Sequence, residues 1–375
     1  MQVRSNTPYA GYLLYADFIR ILAVTAVIIL HVSSRVVASW GQIPIAYWWA
    51  GNIADSTTRW AVPGLVMLSG ALLLDPGKEE NLFSFFQKRA SRLAIPMLSW
   101  FFVYFLWVHY WQRQPITFPL VVRRLILGGP YYHLYFLYVI GFLYAITPLL
   151  KPYFTKLHPS QRVRVIAFCL SLGIIDSLIF YRFYNHEGWF DQLSSFFPMF
   201  AFSFGFIGYF LAGYHLKTLV LFQNRSVLFL AFFILSVLTT LIGTYGFISR
   251  FGLYSFGLYF YDNFSPPCII MSFSTFLFIK ETVGRVPIQH NRKFVDLTRR
   301  LLAPAAFGVY LLHPIVLDVL WYFLISIPPE KQQSIVSLDA WSGIPLISAG
   351  VIVATFGATV LIQRLPYVRR VVGRM

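Results

Sequence analysis

The sequence is poor in cysteine and in charged residues. Charged side chains make up 12% of the 375 residues, and the only two cysteines, Cys169 and Cys268, both lie in apolar stretches. Two isolated thiols exclude a disulfide framework and provide no metal-ligand spacing, so we expect no bound metal. The sequence also lacks a P-loop, a dinucleotide-binding glycine motif and low-complexity tracts. Nothing in it therefore indicates a soluble nucleotide-dependent enzyme.

Apolar residues take the place of the missing charges. Hydrophobic residues make up 58% of the chain and aromatic residues 19%, and the mean hydropathy is +0.65. This composition predicts an all-α, polytopic transmembrane bundle, and we expect residues 1–375 to form a single domain. Ten segments are long enough to span a bilayer: 13–36, 57–74, 93–111, 132–150, 163–182, 195–213, 227–247, 264–280, 303–326 and 343–362.

Basic residues are distributed unevenly between the two sides of this predicted bundle. With the N-terminus placed in the cytoplasm, 21 of the 30 lysines and arginines fall on the cytoplasmic side and 7 on the other. This bias predicts cytoplasmic termini and contact with anionic lipid, and it accounts for the net charge of +16 without nucleic acid. No cleavable signal peptide is expected, because the first span contains polar residues and no small-residue cleavage site.

Arg20 and His31 are the most informative residues of the first span. His31 follows Arg20 by 11 residues, which is about 20° past three helical turns and a rise of about 16 Å, so both lie on one face. Asp17 precedes Arg20 by three residues and can pair with it. A structural ion pair and a core histidine are the simpler interpretation. We favour a site with two ends, in which the cation binds an anionic group and the imidazole performs proton chemistry.

Four further segments contain candidate site residues. Arg89 and Arg92 are three residues apart, so their guanidiniums share one helical face and suit phosphate oxygens, although such residues also anchor cytoplasmic helix ends. The other candidates are His133 at the start of the fourth span, Tyr310 and His313 before Pro314, and Arg59 and Ser69 around the Pro63-Gly64 step. Taken singly, each of these also has a structural explanation in packing or interfacial anchoring.

Together these segments resemble the acyltransferase-3 family of membrane enzymes, which O-acylate surface polysaccharides. The family patterns R-x10-H and R-x-x-R match at Arg20/His31 and at Arg89/Arg92. Three other family segments match in part at residues 63–70, 133–137 and 306–313, where an aromatic pair is absent, Tyr replaces Trp and Ala replaces Ser. Residues 51–59 resemble the branch that contains the enterobacterial common antigen O-acetyltransferase.

The resemblance implies an O-acetyltransferase of the bacterial inner membrane. Its donor would be cytoplasmic acetyl-CoA, and its acceptor a hydroxyl of a lipid-linked or surface glycan. The family implies catalysis by His31 with Asp17 and Arg20, and binding of the CoA phosphates by Arg89, Arg92 and Arg20. Arg59, Ser69 and Tyr310 are candidates for stabilising the oxyanion. Direct attack by the sugar and relay through an acyl-histidine both remain open.

Two other classes of function fit parts of the sequence. A proton-coupled transporter could use Asp17 and His31 as a relay. A non-catalytic component of a glycan-synthesis complex is a third possibility, against which the presence of both His31 and Arg20 argues. The absence of a visible internal repeat and the presence of R-x-x-R beside R-x10-H favour the enzyme.

Overall fold

The computed structural model describes residues 13–77, 80–126, 128–183, 197–220, 225–253, 256–286, 291–325, 339–366 and 368–373, and all regular secondary structure within these ranges is helical. The helices are α1 Leu14–Val37, α2 Ile45–Thr58, α3 Ala61–Leu73, α4 Leu82–Tyr110, α5 Phe118–Ile126, α6 Tyr135–Phe154, α7 Pro159–Phe183, α8 Phe197–Thr218, α9 Ser226–Phe251, α10 Pro266–Val283, α11 Arg292–Leu297, α12 Ala303–Ile325 and α13 Ala340–Arg364. Two 3-10 turns, Tyr132–Leu134 and Phe256–Tyr261, precede α6 and α10, and a π-helical segment, Thr298–Leu302, joins α11 to α12.

Seven helical stretches within the described residues are long and apolar enough to cross a membrane, which confirms the predicted helical multi-pass class. They are Leu14–Val37, Leu82–Tyr110, Tyr132–Phe154, Pro159–Tyr181, Ser226–Phe251, Arg292–Tyr322 and Ala340–Arg364. The predicted segments 195–213 and 264–280 correspond to α8 and α10, which are not among the seven. Ten spans and cytoplasmic termini therefore stay predictions, and residues 1–12 and 374–375 lie outside the described ranges.

The segment predicted as one span over 57–74 is divided between two helices. α2 ends at Thr58 and α3 begins at Ala61. Pro63 explains the break, because it has no N–H to donate to the carbonyl of Arg59 and its ring clashes with that carbonyl in a regular helix. With 13 residues, α3 is about 20 Å long, which is shorter than the hydrocarbon core of about 30 Å.

Helix α1 lies at the centre of the bundle and packs against α2, α3, α10, α12 and α13. Its sequence explains the position, since Ala16, Ala23 and Ala26 are buried and let neighbouring backbones approach closely, while Ile19 and Ile28 fill the core. Arg20 and His31 therefore project from a helix that is fixed on several sides.

The tightest helix crossing in the described residues joins α3 to α8 through two glycines. A Cβ atom on Gly70 would lie 1.7 Å from the carbonyl oxygen of Phe210, and one on Gly213 would lie 1.8 Å from the carbonyl oxygen of Met67. Both obstructing atoms belong to backbone, so a side chain fits only if the helices separate. Gly70, which ends the 63–70 motif, thus has a packing role.

We expect Gly70→Ala to destabilise the protein by about 1–3 kcal/mol, the usual cost of overpacking a core. The melting temperature in detergent, followed by intrinsic fluorescence, should fall. Gly357→Ala is the matched control, because a Cβ there meets nothing within 4 Å and alanine favours the helix. Equal melting temperatures for the two variants would contradict the close crossing.

Candidate active site

Three histidines from distant parts of the chain meet inside the bundle. His31 lies on α1, His133 on the 3-10 turn before α6, and His313 on α12. The rings of His31 and His313 are stacked with centroids 5.3 Å apart, and the centroid of His133 is also 5.3 Å from that of His313. His133 and His313 are buried, whereas His31 is half-buried. We call these three residues the histidine cluster; a small molecule would reach it through His31.

Pro314 orients the buried His313. A proline at position 314 cannot donate to the carbonyl of Tyr310, four residues earlier, so that carbonyl is left without its helical partner. The Nδ1 atom of His313 lies 2.7 Å from this oxygen. Because a carbonyl only accepts hydrogen bonds, Nδ1 carries the proton and Nε2 of the neutral ring presents a lone pair.

Tyrosines surround the histidine cluster. The ring of Tyr132 lies 4.7 Å from that of His31, and the rings of Tyr104 and Tyr310 lie 4.9 and 5.3 Å from that of His133. The hydroxyl of Tyr310 donates to the backbone carbonyl of His133. Tyr310, a sequence candidate for oxyanion stabilisation, therefore positions the turn that carries His133 in this structure.

Several nitrogens of the histidine cluster have no hydrogen-bond partner among the described residues. They are Nδ1 and Nε2 of His133 and Nε2 of His313, and all three atoms are buried. Leaving such groups unsatisfied is costly, so a donor or acceptor supplied by a ligand would be favoured there. Within the described ranges, no group of histidine, cysteine or acidic residues is arranged to hold a metal ion.

A second set of side chains occupies the other end of α1. The Nη1 atom of Arg20 lies 2.6 Å from the Oδ1 atom of Asp17, which confirms the predicted pair. The phenol of Tyr144 on α6 interacts electrostatically with Arg89, Arg20 and Arg92. Tyr144 was not a sequence candidate. We call Arg20, Arg89 and Arg92 the arginine cluster, and its three positive charges suit an anionic ligand.

The two arginines of the R-x-x-R motif differ in their surroundings. Arg89 pairs with Glu80 and lies over the ring of Phe85 at 4.2 Å. Glu80 also accepts a hydrogen bond of 2.9 Å from Lys88, and the hydrogen bonds from Lys88 and Arg89 lower the pKa of this exposed carboxyl. Arg92 is exposed and makes no ion pair with a described residue. In this state Arg92 is thus the freer of the two.

The distance between the two clusters recurs on three segments. His31 follows Arg20 by 11 residues on α1, Tyr104 follows Arg92 by 12 on α4, and Tyr144 follows His133 by 11 into α6. A helical rise of 1.5 Å per residue places the clusters about 16–18 Å apart in each case. On this spacing the two clusters would form the ends of one elongated candidate site, about half the thickness of a hydrocarbon core.

The remaining sequence candidates, Arg59 and Ser69, have partners of their own. Arg59 pairs with the fully buried Asp55, donates from Nη1 to the carbonyl of Tyr261 at 3.0 Å and lies 4.0 Å from the centre of that ring. The hydroxyl of Ser69 donates to the carbonyl of Leu65 at 3.0 Å, a bond within its own helix.

A second ion pair near the histidines was missed by the sequence analysis. Arg35 donates to Asp318 with an Nη2–Oδ1 distance of 2.5 Å, across 283 residues of chain. The signal was present, because Arg35 lies one helical turn after His31 and Asp318 five residues after His313. Nothing in the sequence, however, indicated that α1 and α12 are neighbours.

Comparison with known proteins identifies the family. A family model described as an acyltransferase domain, that of the acyltransferase-3 family, matches residues 13–363 and thus includes every candidate site residue. No curated protein and no solved structure matches the chain. Since the family model covers nearly the whole sequence, the chain belongs to the acyltransferase-3 family of membrane acyltransferases.

Proposed function

We propose that the protein transfers an acetyl group from cytoplasmic acetyl-CoA to a hydroxyl of a surface or lipid-linked polysaccharide in the bacterial inner membrane. One observation carries this proposal: in a member of an acyltransferase family, α1 contributes Arg20 to an arginine cluster and His31, on the same helical face, to a histidine cluster. Residues 51–59 favour an acceptor like that of the enterobacterial common antigen branch. We further propose that residues 1–375 act as one domain with both termini in the cytoplasm.

The donor fits the two ends of this site in charge and in length. CoA carries its negative charges on a phosphate and a diphosphate at one end and its thioester at the end of a long, thin pantetheine arm. Arg89, Arg92 and Arg20 would bind the phosphates through charge-assisted hydrogen bonds. His31 lies about 16 Å from Arg20 along α1, a distance that an extended pantetheine arm spans. The reacting carbonyl would then lie beside the imidazole.

In the direct route His31 acts as a general base. The sugar hydroxyl oxygen attacks the thioester carbonyl carbon, and His31 accepts the hydroxyl proton. The tetrahedral intermediate collapses with cleavage of the C–S bond, and the proton passes from His31 to the departing sulfur. The products are the sugar acetate and CoA thiol, with no net proton change. His313, which is stacked on His31, keeps the base in place.

The relay route has the same balance but passes through acetyl-His31. The imidazole nitrogen would first attack the thioester carbonyl carbon, and the C–S bond would break with the imidazole proton passing to sulfur, which releases CoA thiol. The sugar hydroxyl would then attack the acetyl-imidazole, and the C–N bond would break with the hydroxyl proton returning to His31, which yields the sugar acetate. Rapid acid quenching after mixing with radiolabelled acetyl-CoA, in the absence of sugar, distinguishes the routes. Labelled protein that disappears on addition of sugar supports the relay.

A proton-coupled transporter is the competing function. Family membership does not favour it, and a carrier would not consume acetyl-CoA. The test of the proposal uses purified protein in detergent with acetyl-CoA and oligosaccharides released from cells that lack this protein. We expect sugar-dependent release of CoA thiol and an acetyl mass increment on the sugar. Absence of both, with donor bound, would overturn the proposal.

Glu80 should weaken donor binding in the wild-type protein. Its carboxylate pairs with Arg89 and competes with the CoA phosphates for that guanidinium. We therefore expect Glu80→Gln to lower the Kd for CoA by about twofold to fivefold, a modest gain because exposed ion pairs are weak. Calorimetric titration measures it, and Glu281→Gln, at an ion pair on α10, serves as the control. A weaker affinity in Glu80→Gln would contradict the competition.

The proposed topology predicts which residues an impermeant thiol reagent can reach. Both native cysteines are buried and free, so background labelling should be low. We expect Gln87→Cys, beside Arg89, to react only when the reagent reaches the cytoplasmic side, and Thr117→Cys, after α4, to react from outside. Labelling of Gln87→Cys in intact cells would reverse the proposed orientation of α4.

A further inference from the structure

α1 carries a second cation beyond His31, at the end away from the arginine cluster. Arg35 follows His31 by four residues, about 40° away around the helix, and so lies on nearly the same face. Its guanidinium pairs with Asp318 at 2.5 Å and lies 4.8 Å from the centre of the Trp321 ring. Asp318 also accepts from the hydroxyl of Tyr131, whose ring lies 4.8 Å from that of Tyr132 and 6.0 Å from that of His133. Tyr132 in turn contacts His31. Arg35 is thus joined to the histidine cluster through Asp318 and Tyr131.

The carboxylate of Asp318 has almost no free hydrogen-bond acceptor positions for a ligand. Its carboxylate is buried and accepts from Arg35, from Nε1 of Trp107 at 3.0 Å and from the hydroxyl of Tyr131. A carboxylate accepts about four hydrogen bonds, so these three donors nearly fill it. Asp318 therefore fixes the positions of three side chains, which belong to α1, to α4 and to the residue just before the turn that leads into α6.

Arg35, in contrast, retains free donors and access. Its side chain is 27% exposed, and the adjacent Tyr132 is 47% exposed. A guanidinium has five N–H donors, and the partners named above use only some of them. A charge open to hydrocarbon is expensive, so the open side of Arg35 faces water or a polar ligand. The same region holds aromatic faces, including Trp321 and the Trp107–Trp111 stack at 4.7 Å.

We infer that Arg35 binds the acceptor sugar, and that Asp318 is the positioning residue that holds it. This inference rests on the proposed function, because it assigns the acceptor to the end of the site beyond His31. A sugar ring offers hydroxyl oxygens that accept from a guanidinium and C–H groups that contact the negative face of an aromatic ring. A hydroxyl of a ring held at Arg35 and Tyr132 would lie beside His31, opposite the arriving thioester.

Arg20 and Arg35, the two arginines of α1, give a crossed test. Arg35→Gln should raise the apparent KM for the released oligosaccharides at least tenfold and leave the Kd for CoA within twofold of wild type. Arg20→Gln should weaken CoA binding and leave the KM for the oligosaccharides unchanged. Arg300→Gln, which removes an exposed ion pair with Asp296, is the control and should change neither constant.

Two further measurements separate a ligand contact from a structural role. Slow hydrolysis of acetyl-CoA without sugar should survive in Arg35→Gln, because the donor half and His31 are intact. Intrinsic tryptophan fluorescence should respond to the oligosaccharides in wild type and lose that response in Arg35→Gln, since Trp107 and Trp321 adjoin the site. If Arg35→Gln does not fold, Arg35→Lys, which keeps the charge beside Asp318, should show an intermediate KM.

The outcomes distinguish this inference from the proposed function. A wild-type protein that binds CoA but acetylates no oligosaccharide would defeat the proposed function and this inference with it. A wild-type protein that acetylates the sugar, with an unchanged oligosaccharide KM in Arg35→Gln, would defeat the inference alone. Parallel loss of CoA affinity and sugar binding in Arg35→Gln would also overturn it, because it would show general damage to the bundle.

Discussion

His31→Ala should reduce acetyl transfer by about 10²–10⁴-fold, the range that a positioned general base contributes, and leave CoA binding nearly unchanged. His31 is the half-buried member of the histidine cluster and shares a helix face with Arg20. The imidazole would touch only the reacting end of the donor, while the phosphates bind about 16 Å away. Its loss should therefore lower kcat much more than it changes the Kd for CoA.

The assay of His31→Ala needs both constants and a control for folding. Transfer of radiolabelled acetyl to the oligosaccharides gives kcat, and calorimetric titration gives the Kd for CoA. His158→Ala is the control, because His158 is an exposed histidine in the turn before α7. Wild-type transfer in His31→Ala would remove His31 from the mechanism. Loss of CoA affinity with unchanged kcat would place the imidazole at the phosphate end instead.

Contacts within one helix could be predicted from the sequence. The pair of Asp17 and Arg20 follows from a spacing of three residues, and the shared face of Arg20 and His31 follows from a spacing of 11. The structure contains this ion pair, and α1 extends without a break from Leu14 to Val37. Such predictions succeed because helical geometry fixes neighbouring positions before any tertiary contact forms.

Contacts between helices could not be predicted in this way. Nothing local places His31, His133 and His313 together, because α1, α6 and α12 meet only through the packing of the whole bundle. Arg35 and Asp318 are paired across 283 residues. The break between α2 and α3 could be predicted only in part. Pro63 is visible in the sequence as a helix breaker, but the hydrogen bond that it removes belongs to the carbonyl of Arg59, four residues earlier.

Arg92→Ala and Arg89→Ala should both weaken acyl-CoA binding, and Arg92→Ala should do so more. Each removes a charge-assisted contact to phosphate worth on the order of 1.5–3 kcal/mol, so the apparent KM for acetyl-CoA should rise roughly tenfold to a hundredfold. kcat should change little if the contact is equally strong in the ground and transition states. Arg89 must first leave Glu80, which offsets part of its contribution, whereas Arg92 has no ion-pair partner among the described residues.

The expected difference between Arg89 and Arg92 depends on the ion pair with Glu80, which only Arg89 forms. Lysine at either position should restore only part of the affinity, because a point charge lacks the bidentate fork. Combining Arg89→Ala with Glu80→Gln should cost no more than Arg89→Ala alone, since the carboxylate then has no guanidinium to hold. Lys156→Ala, the loss of an exposed lysine after α6, is the control for general charge. If Arg89→Ala and Arg92→Ala keep wild-type CoA affinity while His31→Ala loses it, the elongated site is wrong, and the R-x-x-R pair only anchors α4 at the membrane surface.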